Sequence, residues 1–252
     1  MRKIHLLLKK EELNQQKVKD NKIVVVFDVL LATSTITSAL EFGAKEVVPV
    51  LNGKEAQIEV NGRKEGSYVL VGEYEGKTLD GFLSPNPLDL QEKIFGKTVI
   101  LSTTNGTVAL KGASTAKAVY ASSLVNNQAV ANHVVSHLEG ETLLLVCSGS
   151  SGEFNVEDFY GAGHFIACLL ASDVFQWELT DPALGAYQFY KGNSQNGARL
   201  LRESRVGKML VGYGYEKELD FVSQENLFSV VPILKGKTII NAEIEECEPV
   251  RK

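Results

Sequence analysis

The fold of this chain is decided by residues 24–36, VVVFDVLLATSTI. The first half of this stretch is apolar and β-branched, which predicts a strand buried on both faces. Asp28 stands near the end of that run, and the hydroxyl residues 33–35 follow it. They lead into a segment with helical apolar spacing that ends at Gly43. This stretch therefore predicts a strand, a polar turn and a helix.

Such a turn has two interpretations. A helix that begins directly after a strand leaves unpaired backbone N–H groups pointing at one spot, which favours a bound oxyanion. The nearby carboxylate of Asp28 would suit a cation that bridges to that oxyanion. Alternatively, the hydroxyls only cap the helix and Asp28 only accepts hydrogen bonds from the backbone. The stretch by itself leaves both interpretations open.

The same pattern returns twice along the chain. Residues 98–101 predict a strand that runs into the small, polar turn 102–107. Residues 142–147 predict another strand, which is followed by the turn 148–153 and a helix over 156–170. Alternating strands and helices predict a layered α/β/α fold with a mostly parallel sheet, whose ligands bind beyond the carboxyl ends of the strands. We therefore expect the three polar turns to meet at one crevice.

The rest of the chain continues the α/β pattern. We expect one α/β domain over residues 1–252, with two lobes, 1–95 and 96–252, as the alternative. Residues 184–205 predict one helix with Arg199, Arg202 and Arg205 along a face. Further strands are predicted over 4–8, 46–50, 67–73 and 117–120, further helices over 53–63 and 123–138, and a late hairpin over 228–234 and 238–240. Pro49 favours an edge or a strand end for the strand that contains it.

Composition excludes several classes of partner. The formal net charge of −5 disfavours binding to a nucleic-acid backbone. The longest apolar stretches are far shorter than a membrane span, and the first ten residues lack the features of a signal peptide. The three cysteines, Cys147, Cys168 and Cys247, are scattered and odd in number. They disfavour a disulfide framework and favour a reducing, cytoplasmic setting.

Four carboxylates stand at predicted strand–loop or loop–helix junctions: Asp28, Glu73, Glu157 and Asp158. Hard oxygen ligands of this kind suit Mg²⁺ with a phosphate completing the coordination shell. Alternatively, Glu157 and Asp158 only complement the dipole of the helix that they open. Cys147, which precedes a polar loop, is a minor alternative as a catalytic nucleophile. Cysteine phosphatases require an arginine after this residue, and none follows here. We therefore favour a buried, structural cysteine.

These motifs, taken together, resemble the 2-phosphosulfolactate phosphatase (ComB-like) family. The order and spacing of the family's motifs agree over most of residues 20–170. The last third matches more loosely, through Asp220 and residues 230–232. The matching segments are 25–35, 43–50, 72–73, 81–82, 86–87, 103–110, 121–126, 147–149, 154–158 and 161–163.

The resemblance implies an α/β fold and a magnesium-dependent acid phosphatase that hydrolyses a 2-phospho-3-sulfo acid to sulfolactate and phosphate. Asp28, Glu73 and Asp158 would hold the metal, and Asp28, Glu157 and Asp158 would form the catalytic set, with Glu157 as an alternative ligand or base. The small phosphorylated acid would be the partner, with a homo-oligomer left open. Phosphate would be held at Thr33, Ser34, Thr35, Thr103, Thr104, Asn105, Gly106, Ser148 and Gly149.

The chain also departs from the family at positions where the family usually has arginine. These positions hold Leu31, Tyr74 and Val108, and a later one holds Lys208. Arginine forks bind phosphate and sulfonate through paired hydrogen bonds, which leucine and valine cannot replace. We therefore predict a divergent member with an altered or less anionic substrate. The alternative is a non-catalytic protein that binds a small anion on the same scaffold.

Overall fold

Residues 2–242 are described by a computed structural model. They form an α/β fold around one mixed, mostly parallel sheet of 11 strands with helices on both faces, as the alternation of strands and helices predicts. The strands are β1 (Arg2–Leu7), β2 (Lys22–Phe27), β3 (Glu46–Val50), β4 (Tyr68–Tyr74), β5 (Lys77–Thr78), β6 (Thr98–Ser102), β7 (Ala118–Ser122), β8 (Thr142–Cys147), β9 (Trp177–Leu179), β10 (Pro232–Lys235) and β11 (Thr238–Asn241).

The helices alternate with these strands up to β9 and then follow one another. They are α1 (Gln15–Val18), α2 (Ala32–Glu41), α3 (Gly53–Val60), α4 (Pro87–Leu90), α5 (Gly106–Gly112), α6 (Asn127–His137), α7 (Val156–Ala171), α8 (Asp181–Asn193), α9 (Gly197–Glu203), α10 (Arg205–Gly212) and α11 (Glu216–Val222). Two 3₁₀ turns cover Lys10–Glu12 and Leu124–Asn126. Within residues 2–242, no helix has both the length and the apolar character that a bilayer span needs.

The sheet consists of two parallel blocks joined by an antiparallel hairpin. The strand order is β5-β4-β6-β3-β11-β10-β7-β2-β8-β1-β9. The hairpin β10–β11, which the sequence predicts, pairs antiparallel with β7 at Ile233 and with β3 at Ile239. The strand β3 is therefore interior, and of the two positions predicted from Pro49, an edge or a strand end, the structure shows the strand end. Pro49 lies near the end of β3, two residues after Val47, which pairs with Ile239 of β11. The N–H group that proline lacks is therefore not needed for that pairing.

Strand β2 separates two hydrophobic clusters because its side chains alternate between the faces of the sheet. Val24 and Val26 pack in the cluster that contains α2 and α5. Val25 and Phe27 pack in the cluster that contains α6 and α7, where Phe27 meets Phe165 edge to face with ring centroids 5.6 Å apart. All four side chains are buried, as the apolar run predicts. The free cysteines Cys147 and Cys168 are buried too, and Cys247 lies outside the described residues.

The single helix predicted over 184–205 is wrong, because the chain turns twice within it. Helix α8 ends at Asn193, α9 ends at Glu203, and the side chain of Ser204 accepts a hydrogen bond from the Gly207 backbone N–H at the start of α10. A Cβ at Gly207 would lie 1.8 Å from the Leu201 carbonyl oxygen, so only glycine permits this sharp junction. Arg205 thereby leaves the face shared by the arginines of α9.

Helices α7 and α8 pack so closely at Gly163 that any side chain there would collide with backbone. A Cβ at this position would lie 2.2 Å from the Ala186 carbonyl oxygen. We expect Gly163→Ala to lower the free energy of unfolding by about 1–3 kcal/mol, because overpacking separates the helices. Chemical denaturation measures this loss. Gly192→Ala in α8, where nothing lies within 4 Å of the added carbon, should leave stability unchanged or raise it by about 0.5 kcal/mol. Equal stabilities for the two variants would contradict the close approach.

Candidate active site

The turn between β2 and α2 is fixed by its own hydroxyls. The Thr33 hydroxyl accepts a hydrogen bond from the Asp28 backbone N–H at 3.0 Å, and the Ser34 hydroxyl donates to the Val29 carbonyl at 2.9 Å. The Thr35 hydroxyl donates to the carbonyls of Leu31 and Pro85. These three side chains are buried and hydrogen-bonded to backbone. The hydrogen bonds of these side chains stabilise the turn. That they contact phosphate stays a prediction.

The Asp28 carboxylate accepts hydrogen bonds from the backbone N–H groups of Ala32 and Gly106. It therefore joins the turn after β2 to the first residue of α5. A Cβ on Gly106 would lie 2.7 Å from Asp28 Oδ2 and 2.5 Å from the Ala32 Cβ. Only glycine lets the N-terminus of α5 approach the carboxylate so closely.

Glu73, at the end of β4, is tied to the turn after β6. Its Oε1 accepts a hydrogen bond from the Thr104 backbone N–H at 2.7 Å, and its Oε2 accepts from the Thr104 hydroxyl at 3.2 Å. The same Oε2 accepts from the Gly76 N–H at 2.7 Å. Within that turn, the Thr103 and Thr107 side chains each bond the other's backbone. The position of the Glu73 carboxylate is therefore fixed by the backbone N–H groups of Thr104 and Gly76.

Asp158, in the first turn of α7, lies directly behind the turn after β2. Its Oδ1 accepts a hydrogen bond from the Val29 backbone N–H at 2.9 Å, and its Oδ2 accepts from the Gly149 N–H at 3.1 Å. It therefore connects the turns that follow β2 and β8. Two neighbouring groups are buried without a hydrogen-bond partner among the described residues: Glu157 Oε1 and the Ser148 hydroxyl.

The three polar turns converge on one pocket, as predicted from their positions after parallel strands. The pocket has a volume of about 320 Å³, within the usual range for small-ligand sites. Glu73 lies in its lining as well, whereas Asp158 and Glu157 lie outside the lining. The three turns contribute Asp28, Leu31, Thr103, Thr104, Asn105, Ser150 and Ser151.

The carboxylates of this site repel one another in a buried setting. Burial and the charges of Glu73 and Glu157 raise the pKa of Asp28 to about 7. Burial, Asp28 and Glu157 raise the pKa of Asp158 well above its ordinary value, and burial also raises the pKa of Glu157. Such a group of carboxylates is stabilised by protons or by a cation. Within residues 2–242, however, no three Asp, Glu, His or Cys side chains are arranged to hold a metal ion by themselves.

Two basic residues near the pocket were not predicted. Arg205, the first residue of α10, lines the pocket, and its Nη2 donates to the Ser150 carbonyl at 3.1 Å and to Asn155 Oδ1 at 3.4 Å. Lys10 donates from Nζ to Asn105 Oδ1 at 2.9 Å. The only signal for Arg205 was the sequence Ser204-x-x-Gly207, which marks a new helix start. Lys10 carried no signal, because its partner is 95 residues away.

The positions where arginine was expected differ in their surroundings. Leu31 lines the pocket. Tyr74 is 62% exposed, and neither it nor Val108 belongs to the pocket lining. The alternative of a Cys147 nucleophile is disfavoured, because complete burial and the nearby Asp158 charge raise the pKa of its thiol well above the ordinary value.

Comparison with known proteins agrees with this arrangement. The family described as 2-phosphosulpholactate phosphatase matches residues 7–237. The chain belongs to that family. A relative in Clostridium acetobutylicum is 35% identical over 91% of this chain and 96% of its own length, and one in Thermotoga petrophila is 37% identical over 88% and 93%. A third, in Carboxydothermus hydrogenoformans, is 36% identical over 95% and 98%. All three are named probable 2-phosphosulfolactate phosphatase.

In this member of the 2-phosphosulpholactate phosphatase family, the contribution of Asp158 to stability can be measured. We expect Asp158→Asn to lower the free energy of unfolding by about 1–3 kcal/mol, because the amide offers one oxygen to two backbone N–H groups. Urea denaturation measures the change. Asp173→Asn is the matched control, since Asp173 is exposed with a φ of 48°, which asparagine adopts readily. A variant as stable as the wild type would show that Asp158 does not hold the turns together.

Proposed function

We propose that this protein is a phosphatase that hydrolyses the phosphoric monoester of a small acid. The proposal is carried by one observation, the meeting of Asp28 with the N-terminus of α5 in a pocket that Glu73 also lines. Membership of the 2-phosphosulpholactate phosphatase family supports the same chemistry. Its relatives' names give 2-phosphosulfolactate as the first compound to test.

We propose further that Mg²⁺ is the cofactor and that Asp28 and Glu73 hold it. The residues fit this ion because the charges that act on buried Asp28 are those of other carboxylates, and Glu157 Oε1 has no partner among the described residues. Mg²⁺ commonly binds one or two carboxylates and completes its shell with water and substrate phosphate, so a cage of three protein ligands is not required. When bound, the ion would neutralise phosphoryl oxygens and lower the pKa of a coordinated water. Asp158 remains a predicted ligand, although it lies outside the pocket lining, whereas Asp28 and Glu73 line the pocket.

The other side chains would bind and orient the substrate. Lys10 occupies Asn105 Oδ1, which leaves the Asn105 Nδ2 hydrogens as donors for an anion. Arg205 and the hydroxyls of Ser150 and Ser151 line the same pocket. Donors held in place before the reaction stabilise charge on the transferring phosphoryl group without reorganising. Glu157, buried beside Asp28, is the proposed base or alternative ligand.

A non-catalytic anion-binding protein is the second proposal, and Leu31 is the observation that favours it. This side chain lines the pocket at a position where the family resemblance places arginine. Loss of a charged hydrogen bond to substrate would cost about 1.5–3 kcal/mol of binding. Saturable binding of a phosphorylated acid in calorimetry, without release of phosphate, is the result that would favour this proposal.

We expect Asp28→Asn to reduce phosphate release from 2-phosphosulfolactate at least about 100-fold, because it removes a charge that would hold the cation. The assay compares phosphate release with and without Mg²⁺. Asp20→Asn is the matched control, since Asp20 is exposed and its φ of 59° suits asparagine. The phosphatase proposal fails if the wild type releases no more phosphate than Asp28→Asn from this ester and from 4-nitrophenyl phosphate.

A further inference from the structure

Two distant parts of the chain touch each other where they line the pocket. Gly76 and Thr78 line it from the turn that joins β4 to β5, and Met209 lines it from α10. A Cβ added to Gly76, whose φ is 78°, would lie 2.6 Å from Met209 Cε and 2.9 Å from Met209 Sδ. The Met209 side chain therefore rests directly on the backbone of the turn. Tyr213, one helical turn further along, lies 3.5 Å from the same added carbon.

The β4–β5 turn is held in place by the polar side of the pocket. The Gly76 backbone N–H donates a hydrogen bond to Glu73 Oε2 at 2.7 Å, and the Glu75 N–H donates to the Thr104 hydroxyl at 3.0 Å. Glu73 is one of the two carboxylates to which we assign the cation. A cation at Glu73 would therefore also fix the surface against which Met209 rests.

Helix α10 is anchored at its start and exposed at its end. Arg205 is hydrogen-bonded to the loop after β8, and Val206 and Leu210 are buried in one hydrophobic cluster. Residues 211–214, in contrast, are exposed. A Cβ at Gly214, which follows the helix with a φ of 84°, would have nothing within 4 Å. The end of α10 thus has room to move while its start stays in place.

The contact between Met209 and the turn is small and apolar. Among the described residues, no hydrogen bond or ion pair joins residues 205–222 to residues 73–78. Single dispersion contacts are weak, and a methionine side chain adapts readily to a changed neighbour. This contact can therefore break and form again at little cost.

We propose that residues 209–215 are a gate, which opens to admit ligands to the pocket and closes on them through the contact of Met209 with Gly76. This inference rests on the proposed function, because it describes how access to the same pocket is regulated. A ligand that touches both Arg205 and Asn105 would bind the closed form more tightly and so shift the population towards it. Closure of this kind keeps water away from the bound ligand.

Cross-linking tests whether the gate must open. Gly76→Cys and Met209→Cys are combined in a Cys247→Ser background, because the other cysteines, Cys147 and Cys168, are buried. A bis-methanethiosulfonate with an ethylene spacer joins the two thiols, and dithiothreitol releases them. We expect cross-linking to lower phosphate release from 4-nitrophenyl phosphate at least about tenfold, and reduction to restore it, because a closed gate admits no substrate.

Two results of this experiment would overturn the gate. One is a cross-linked protein that is as active as the reduced protein. The other is a failure of the two thiols to cross-link, as read by mass spectrometry. The controls are each single cysteine variant with the same reagent, and the paired variant with methyl methanethiosulfonate, which modifies both thiols without joining them. A loss in these controls as large as in the cross-linked protein would also contradict gating.

A methyl group at position 76 tests the same contact from the opposite direction. We expect Gly76→Ala to raise KM at least about fivefold with kcat within about twofold, because the added carbon keeps the gate from closing on its ligand. Gly81→Ala is the matched control, since Gly81 has a φ of 77° and nothing within 4 Å of an added Cβ. It should change neither parameter.

Removal of the colliding side chain should cancel the effect of that methyl group. In a Met209→Ala background, Gly76→Ala should raise KM less than about twofold, because the two changes act through one contact and are not additive. Equal effects of Gly76→Ala in both backgrounds, or no effect in either, would overturn the role of Met209.

Failure of the proposed function would be visible separately. If the wild type hydrolyses neither 2-phosphosulfolactate nor 4-nitrophenyl phosphate, the phosphatase proposal fails, and calorimetric titration with inorganic phosphate and Mg²⁺ then decides the inference. The protein cross-linked before the titration should bind phosphate at least about tenfold more weakly than the reduced protein, because its gate is shut. Equal binding by the two forms, or no binding by either, would overturn the gate.

Discussion

The contact between the Gly106 backbone N–H and the Asp28 carboxylate is the constraint on which the site depends. Asp28 follows β2 and Gly106 follows β6, and these strands belong to the two different parallel blocks of the sheet. The hairpin β10–β11 lies between the blocks, with Ile233 in register with Tyr120 of β7 and Ile239 in register with Val47 of β3. The approach of α5 to Asp28 therefore brings the turns of both blocks together, and a side chain at position 106 would push them apart.

The carboxylates around this contact are better explained by function than by stability. Burying charges of one sign is costly, and buried ionic groups are weak evidence for a stabilising role. Asp158 offsets part of this cost through two backbone N–H donors, and Glu73 does so through three donors. Glu157 Oε1 has no such compensation within the described part of the chain. The remaining imbalance supports the cation that we propose for this pocket.

The regular part of the fold could be predicted because its signals are local. The apolar run before Asp28 defines β2, and the polar turns after three strands place the pocket. The short parallel strand β9, with three residues, gave no such signal. The break at Ser204 was missed because arginine spacing continues across it, while the close packing that requires Gly207 exists only in three dimensions.

Within the site, sequence predicted which turns meet but not what each side chain does there. Thr33, Ser34 and Thr35 are short polar residues, which bond readily to nearby backbone, and the structure shows them bonded in that way. Asn105 is the opposite case, since its amide is oriented by Lys10 from a distant part of the chain. Long-range partners of this kind leave no periodicity or spacing for a sequence to display.

The position of Arg205 changes the meaning of the leucine at position 31. An arginine at position 31 would extend from the turn after β2, whereas Arg205 begins α10 and is anchored to the loop after β8. Leu31 packs against the hydrophobic cluster that contains Val206 and Leu210. A guanidinium at one place cannot substitute for one at the other, because paired hydrogen bonds require a fixed fork direction. The pocket therefore differs from one with arginine at position 31 both in the number of its positive charges and in their positions. An anionic ligand must place its charged group where Arg205 can reach it.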